Sequence, residues 1–272
     1  MKAQSEREKV TVRELRRKSD AGETIVAVTA YDALTARLVD GVGFDIILVG
    51  DSLGMTVLGY ENTVPVTIED CLYHAAAVTR ARPTALVVGD MPFLTYQVSP
   101  EQALVNAARF LQEGGTDAVK LEGGQFIAPA IRRLVQAGIP VLGHIGVLPQ
   151  AVLAVGGYRV PGRTPEEADA LVADALAVQD AGAFALVLEC LPMALSARIT
   201  EALDIPTIGI GAGPHCGGQI QVLHDVVGLF EAFVPRHTKR YAFLAEAMRE
   251  ALGEYRDEVR SGEFPTQEHS FK

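Results

Sequence analysis

Short, apolar, β-rich runs return along the whole of this 272-residue chain, with a helical pattern between each and the next. The runs are TIVAVTA (24–30), FDIILVGD (44–51), TALVVGDM (84–91), TDAVKLEG (116–123), IPVLGHIG (139–146), AFALVLEC (183–190), IPTIGIGAG (205–213) and, more weakly, QVLHDVVG (221–228). The intervening stretches EDCLYHAAAVTRA, SPEQALVNAARFLQEG and TPEEADALVADALAVQDAG open on cap-type residues, and the last two close on glycine. Strand and helix alternating in this way call for a parallel sheet with helical crossovers. In a chain of this length that closes most economically as a (β/α)8 TIM barrel, with an open doubly wound sheet as the alternative. No Pro-, Ser- or charge-rich linker divides the chain, so one barrel domain over 1–272 is expected. TVRELRRKSDAG, ahead of the first strand, is placed as a helix plugging the amino-terminal end of the barrel. After the last strand, KRYAFLAEAMREALGEYRDEVRSG lines up Phe243, Leu244, Met248, Leu252, Tyr255 and Val259 as one stripe, suited to packing on the barrel or to contact between subunits.

Composition removes several function classes. A formal charge of -10 leaves no broad basic face for a phosphate backbone, so no nucleic-acid partner is expected. The one dense basic run, RELRRK (13–18), reads as a solvated helix face. Cys71, Cys190 and Cys216 are odd in number, far apart and without CxxC spacing, which favours neither a disulfide framework nor a zinc site and fits a reducing cytoplasm. The opening MKAQSEREKV is polar, and no run reaches the ~18 apolar residues of a membrane span. A soluble cytoplasmic protein is the expectation.

In a parallel barrel the reactive groups gather where the strands end, because the loops there surround one mouth. Polar residues follow that rule here: Asp51 is placed at the end of strand two, Asp90 of strand three, Lys120 and Glu122 of strand four, His144 of strand five and Glu189 of strand six. Alternation along a strand sends Lys120 and Glu122 to the same side. The same parity aligns Val49 with Asp51, Val88 with Asp90 and Val187 with Glu189 along the interior. Any one acid taken alone could be a helix cap or a loop ion pair. Acids on three consecutive strand ends, about 4.8 Å apart strand to strand, repel unless they protonate or gain a cation. Oxygen-only donors suit Mg2+, or Mn2+, better than zinc. Glu189, among apolar neighbours and across the barrel from strand two, suits a general base, with a structural acid paired to an arginine as the plainer reading. His144 is read as a neutral hydrogen-bond donor or a satisfied core histidine, and Lys120 as neutralising the acids or gripping an anionic substrate. GIGAGPHCGG (209–218) does not satisfy GxGxxG and lies on the seventh strand, so a tight turn is the reading there.

Together these stretches resemble the ketopantoate hydroxymethyltransferase family over nearly the whole chain. The resemblance rests on TAYDALTARLVD, VGDSLGMTVLGY, VPVTIEDCLYHAAAV, VKLEGG, GHIGVLPQ, GGYRVPGRT, LVLECLP, GIGAG and the terminal EHSF. It implies a (β/α)8 barrel assembled as a homo-oligomer, usually a decamer. It implies hydroxymethyl transfer from 5,10-methylenetetrahydrofolate to 3-methyl-2-oxobutanoate, giving 2-dehydropantoate on the route to pantothenate. Position by position, it assigns Asp51, Asp90 and Glu122 to Mg2+. Asp51, Ser52, Asp90 and Lys120 fall to the oxo acid, with His144 also at the substrate site, and Glu189 is the proton acceptor. One position departs: Gly217 stands in CGGQ where the family carries Asp. Rival readings are another Mg2+-dependent enzyme of oxo acids, of the isocitrate lyase or phosphoenolpyruvate mutase kind, and a non-catalytic metabolite binder on the same fold.

Overall fold

The computed structural model describes residues 7–271; the first six residues of the polar opening segment lie outside the described residues. Eight strands run in chain order: β1 (Ile25–Thr29), β2 (Ile46–Val49), β3 (Leu86–Asp90), β4 (Ala118–Glu122), β5 (Val141–Gly146), β6 (Ala185–Glu189), β7 (Thr207–Ile210) and β8 (Gly218–Gln221). Each pairs in parallel with the next, and β8 pairs with β1, so the sheet closes. The expected barrel is the observed one.

The eighth strand is not where hydrophobicity placed it. QVLHDVVG holds only the end of β8, and a short helix occupies Leu223–Val226. The pairing segment is GQIQ, whose first residue, Gly218, packs so tightly against β1 that an added Cβ would stand 2.5 Å from the Ile25 carbonyl oxygen. Glycine is needed there for close approach of two backbones.

Alternation sorts the strand residues by side. Ile25 and Ala27, Ile46 and Leu48, Leu86 and Val88, Ala118, Leu142, Ala185 and Val187, Ile208 and Ile220 form one buried interior cluster. Val10 and Leu15 belong to the same cluster. Leu15 lies on the helix Val12–Asp20, which opens on a Thr11 cap, so this helix plugs the barrel interior as expected. The N-terminal segment is tied down by polar contacts as well: Arg7 and Lys18 both reach the buried Asp45, at 3.0 and 2.8 Å, and Val10 N donates to the Thr84 carbonyl.

Two crossover helices begin at the cap residues read from the sequence, Ser99 and Thr164, and the first is capped two residues ahead of its expected opening at Glu69. Thr67 and Asp70 form a capping box for Ile68–Thr79, Ser99 caps Pro100–Gln112, and Thr164 caps Pro165–Asp180. The chain divides into two compact units, Met1–Val222 and Leu223–Lys272. The second unit carries the long helix Leu244–Ser261, along which Phe243, Leu244, Met248, Leu252, Tyr255 and Val259 are all exposed. Among the described residues no helix is long and apolar enough to cross a membrane.

Candidate active site

The inward positions of β3 to β6 change from apolar to polar as the strands approach their carboxyl ends. Val88 is followed on the same side by Asp90, Ala118 by Lys120 and Glu122, Leu142 by His144, and Val187 by Glu189. Register brings these together: Asp90 is level with Lys120, Glu122 with His144, and Gly146 with Glu189. Gly146 makes the last of these possible, since its φ is +107° and a Cβ there would lie 2.2 Å from the Glu189 carbonyl oxygen.

Strand β2 departs from the expected parity. Ile46 and Leu48, not Val49, face the interior, and β2 ends at Val49, so Asp51 is not a strand residue. Gly50 takes the inward position instead, where a Cβ would come within 2.8 Å of Ser52 Oγ and 3.6 Å of Asp90 Oδ2. The chain turns at that point and returns Asp51 to the mouth by another route: its backbone N–H donates to Asp90 Oδ2 at 3.0 Å. Ser52 follows, with its hydroxyl 2.8 Å from the buried Tyr31 hydroxyl.

Charge is concentrated here. Asp51, Asp90, Lys120, Glu122 and His144 are all buried, and the Glu189 side chain is one-fifth exposed, at 20%. Lys120 Nζ lies 2.7 Å from Asp90 Oδ1. Burial works against its ammonium, but Asp90, Asp51 and Glu122 together hold its pKa above the usual lysine range. The Asp51 carboxyl is pushed well above the ordinary carboxylate range, chiefly by burial and then by the negative charge of Asp90, with Lys120 opposing.

His144 stands between two acids, with Nδ1 3.5 Å from Glu122 Oε2 and Nε2 3.1 Å from Glu189 Oε2. Burial and the Lys120 charge oppose its protonation, yet the contacts with Glu122 and Glu189 outweigh them and raise its pKa to about 9. With carboxylates on both sides, the balance in the metal-free site leans toward the charged imidazolium. Glu189 meets this histidine rather than an arginine. Glu122 Oε2 and His144 Nε2 are buried, and among the described residues neither finds a partner with hydrogen-bond direction.

Two residues in this network carried no signal in the strand pattern. Gln150, on the turn Pro149–Ala151 after β5, contacts both Asp51 and Glu122. Tyr96, fully buried in the loop after β3, joins Gln150 to the Glu122 backbone. Both lie on loops, where alternation says nothing, although Gln150 ends the motif GHIGVLPQ. On the far side of the mouth Cys190, directly after Glu189, has a left-handed φ of 52°, a costly conformation for a residue with a side chain.

The remaining singled-out positions are quieter. GIGAG ends β7 in a tight turn with positive φ at Gly211 and Gly213. Gly217 has ordinary space around it, the nearest atom to an added Cβ being the Thr207 carbonyl oxygen at 3.5 Å, so the departure from Asp is not imposed by crowding. Cys71 and Cys216 are free, buried thiols. No three His, Cys, Asp or Glu side chains among the described residues converge as a ready-made metal centre.

Comparison with known proteins addresses the chain as a whole. The family model described as ketopantoate hydroxymethyltransferase matches residues 9–267. The 3-methyl-2-oxobutanoate hydroxymethyltransferase of Moorella thermoacetica is 56% identical over 268 residues, covering 98% of this chain and 100% of that one. The protein of the same name from Chloroflexus aurantiacus is 59% identical over 262 residues, covering 96% and 92%. Among solved structures, a 2,3-dimethylmalate lyase of the PEP mutase/isocitrate lyase superfamily has a TM-score of 0.61 at 20% identity, covering 96% of this chain and 93% of that one. At that identity the likeness is one of fold. Identity above one half along almost the full length of both chains goes further: the chain belongs to the ketopantoate hydroxymethyltransferase family.

Proposed function

We propose that this enzyme transfers a hydroxymethyl group from 5,10-methylenetetrahydrofolate to 3-methyl-2-oxobutanoate, forming 2-dehydropantoate for pantothenate synthesis, with Mg2+ held by Asp51, Asp90 and Glu122 and with Glu189 as general base. The observation that carries the reading is the placement of Glu189 on the strand opposite β2, facing a buried group of carboxylates around Lys120.

The donors suit such an ion. All are oxygens, Glu122 Oε2 is buried without a well-directed partner, and burial beside Asp90 makes the Asp51 charge costly unless a cation joins it. When bound, the ion supplies a Lewis acid that favours loss of a proton beside the keto group.

The chain's own residues supply the rest. Lys120, kept cationic among the acids, attracts the substrate carboxylate, and Ser52 is assigned to the same substrate. Glu189 removes the proton from C3, with His144 Nε2 3.1 Å from its carboxylate. Water adds to the folate's methylene carbon as both of its C–N bonds break, one proton passing to each nitrogen, so tetrahydrofolate leaves and the carbon is presented as an aldehyde. The electron pair left at C3 forms the new C–C bond to it, and the alkoxide that results takes up the proton removed from C3. The same reading has the enzyme working in the cytoplasm as a homo-oligomer, a decamer by family resemblance.

Two measurements test it. Purified protein given 3-methyl-2-oxobutanoate and methylenetetrahydrofolate is expected to form 2-dehydropantoate and to stop when a chelator is added; turnover insensitive to chelator would remove the metal from the reading. Glu189→Gln is expected nearly to abolish exchange of the substrate's C3 proton into D2O while changing Mg2+ affinity little. Exchange at the wild-type rate in that variant would take the base role away from Glu189.

A further inference from the structure

Asp51 and Glu122 come from opposite sides of β3, one beyond β2 and the other at the end of β4. Strand geometry alone does not hold their carboxylates in relation to one another, because Asp51 lies past its strand. A single residue spans them. Gln150 donates its backbone N–H to Glu122 Oε1 at 2.9 Å and its side-chain Nε2 to Asp51 Oδ2 at 3.0 Å. It is only 4% exposed.

The carboxamide has one sensible orientation. Nε2 also donates to the Met91 carbonyl at 3.0 Å, so both amino hydrogens meet acceptors. Oε1 accepts from the Tyr96 hydroxyl at 2.8 Å and from Gln97 Nε2 at 3.1 Å. Reversing the amide would turn its carbonyl oxygen onto a carboxylate and another carbonyl, and its amino group toward the Gln97 amino group. Tyr96 is held in turn by the Glu122 backbone N–H, which donates to its hydroxyl at 3.2 Å.

We propose that Gln150 is a positioning residue for the reaction at this mouth: it sets the separation and aim of the Asp51 and Glu122 carboxylates, and Tyr96 sets Gln150. The inference rests on the reading above for what those carboxylates do. Its physical logic is that a neutral bridge suits this place. A lysine or arginine spanning the same acids would hold them equally well but would cancel the charge that a divalent cation needs. A carboxamide supplies directed donors and no net charge, and it leaves Asp51 Oδ1 and Glu122 Oε2 outside its own hydrogen bonds.

The test compares Gln150→Met, which keeps the length and bulk but removes the amide, with the wild type. Groups that orient metal ligands typically contribute about 10- to 100-fold in affinity or activity. Mg2+ affinity, measured by calorimetry on protein without substrate, and kcat/KM for 3-methyl-2-oxobutanoate are both expected to fall by about that factor. Tyr96→Phe is expected to shift both in the same direction, and it serves as the probe should Gln150→Met fail to fold. A variant with a lowered melting temperature but with affinity and kcat/KM within about twofold of wild type, well short of that range, would make Gln150 a packing residue only and overturn the proposal. Wild-type protein that neither binds Mg2+ nor turns over would sink the functional reading instead. Gln150 is then decided by a crystal structure of the metal-free variant: Asp51 and Glu122 carboxylates that leave their places support the role, and carboxylates that stay overturn it.

Discussion

Asp51 is buried beside Asp90 with its carboxyl forced toward protonation, so in protein stripped of metal it is a burden on folding. A carboxyl with a raised folded-state pKa costs stability at neutral pH, and that cost is relieved as pH falls through the folded value. Asp51→Asn is therefore expected to melt no lower than wild type in chelator, and to lack the rise in melting temperature with Mg2+ that the proposed site predicts for the wild type; scanning calorimetry with and without the ion checks both halves. His144 has the opposite sign. Its folded-state pKa of about 9 lies above the ~6.5 of a free imidazole, so its contribution is complete below about pH 6.5 and is lost as pH rises toward 9. Denaturant titrations of metal-free protein across that window are expected to show a decline, on the order of 3 kcal/mol at most, that His144→Gln flattens. At this scale the sequence is most legible where a residue lies inside a strand. Asp90, Lys120, Glu122 and Glu189 follow from alternation alone, because period two leaves a strand residue only two sides to face. Asp51 lies two residues past β2, so the parity argument picked the wrong partner for it, and Gln150 and Tyr96 had no period to betray them.

Among the elements, seven strands were legible from their apolar, β-rich runs, and the eighth was misplaced because its pairing segment, GQIQ, holds a glycine and two glutamines in four residues. Gly218 and Gly146 are both explained by what stands opposite them, which is tertiary information. That gives β5 and β6 a specific weak point. Gly146→Ala would set a methyl group 2.2 Å from the Glu189 carbonyl oxygen at a φ of +107°, so either the pairing or the Glu189 backbone must shift. A loss of about 1–3 kcal/mol is expected from the backbone conformation alone, together with a fall in kcat from the displaced carboxylate. A variant with wild-type melting and wild-type turnover would mean that the strand ends tolerate more movement than their register implies. The helix starts, by contrast, needed no tertiary context, because Thr67, Ser99 and Thr164 each satisfy backbone donors within their own first turn.

Over the whole molecule, the interior of the barrel changes character from one end to the other: aliphatic where the N-terminal helix enters, charged where the strands finish. Leu15, with no exposed surface, joins the aliphatic end. Leu15→Ala is expected to cost about 2–5 kcal/mol, as large-to-small changes in a packed core do, and to lower the melting temperature while leaving KM for the oxo acid unchanged, since the reacting end lies at the other pole. A raised KM would show that the two ends are mechanically coupled. The same packing leaves a single approach: with the interior filled by side chains from Leu15 onward, anything that reaches the charged pole must come and go past the strand ends.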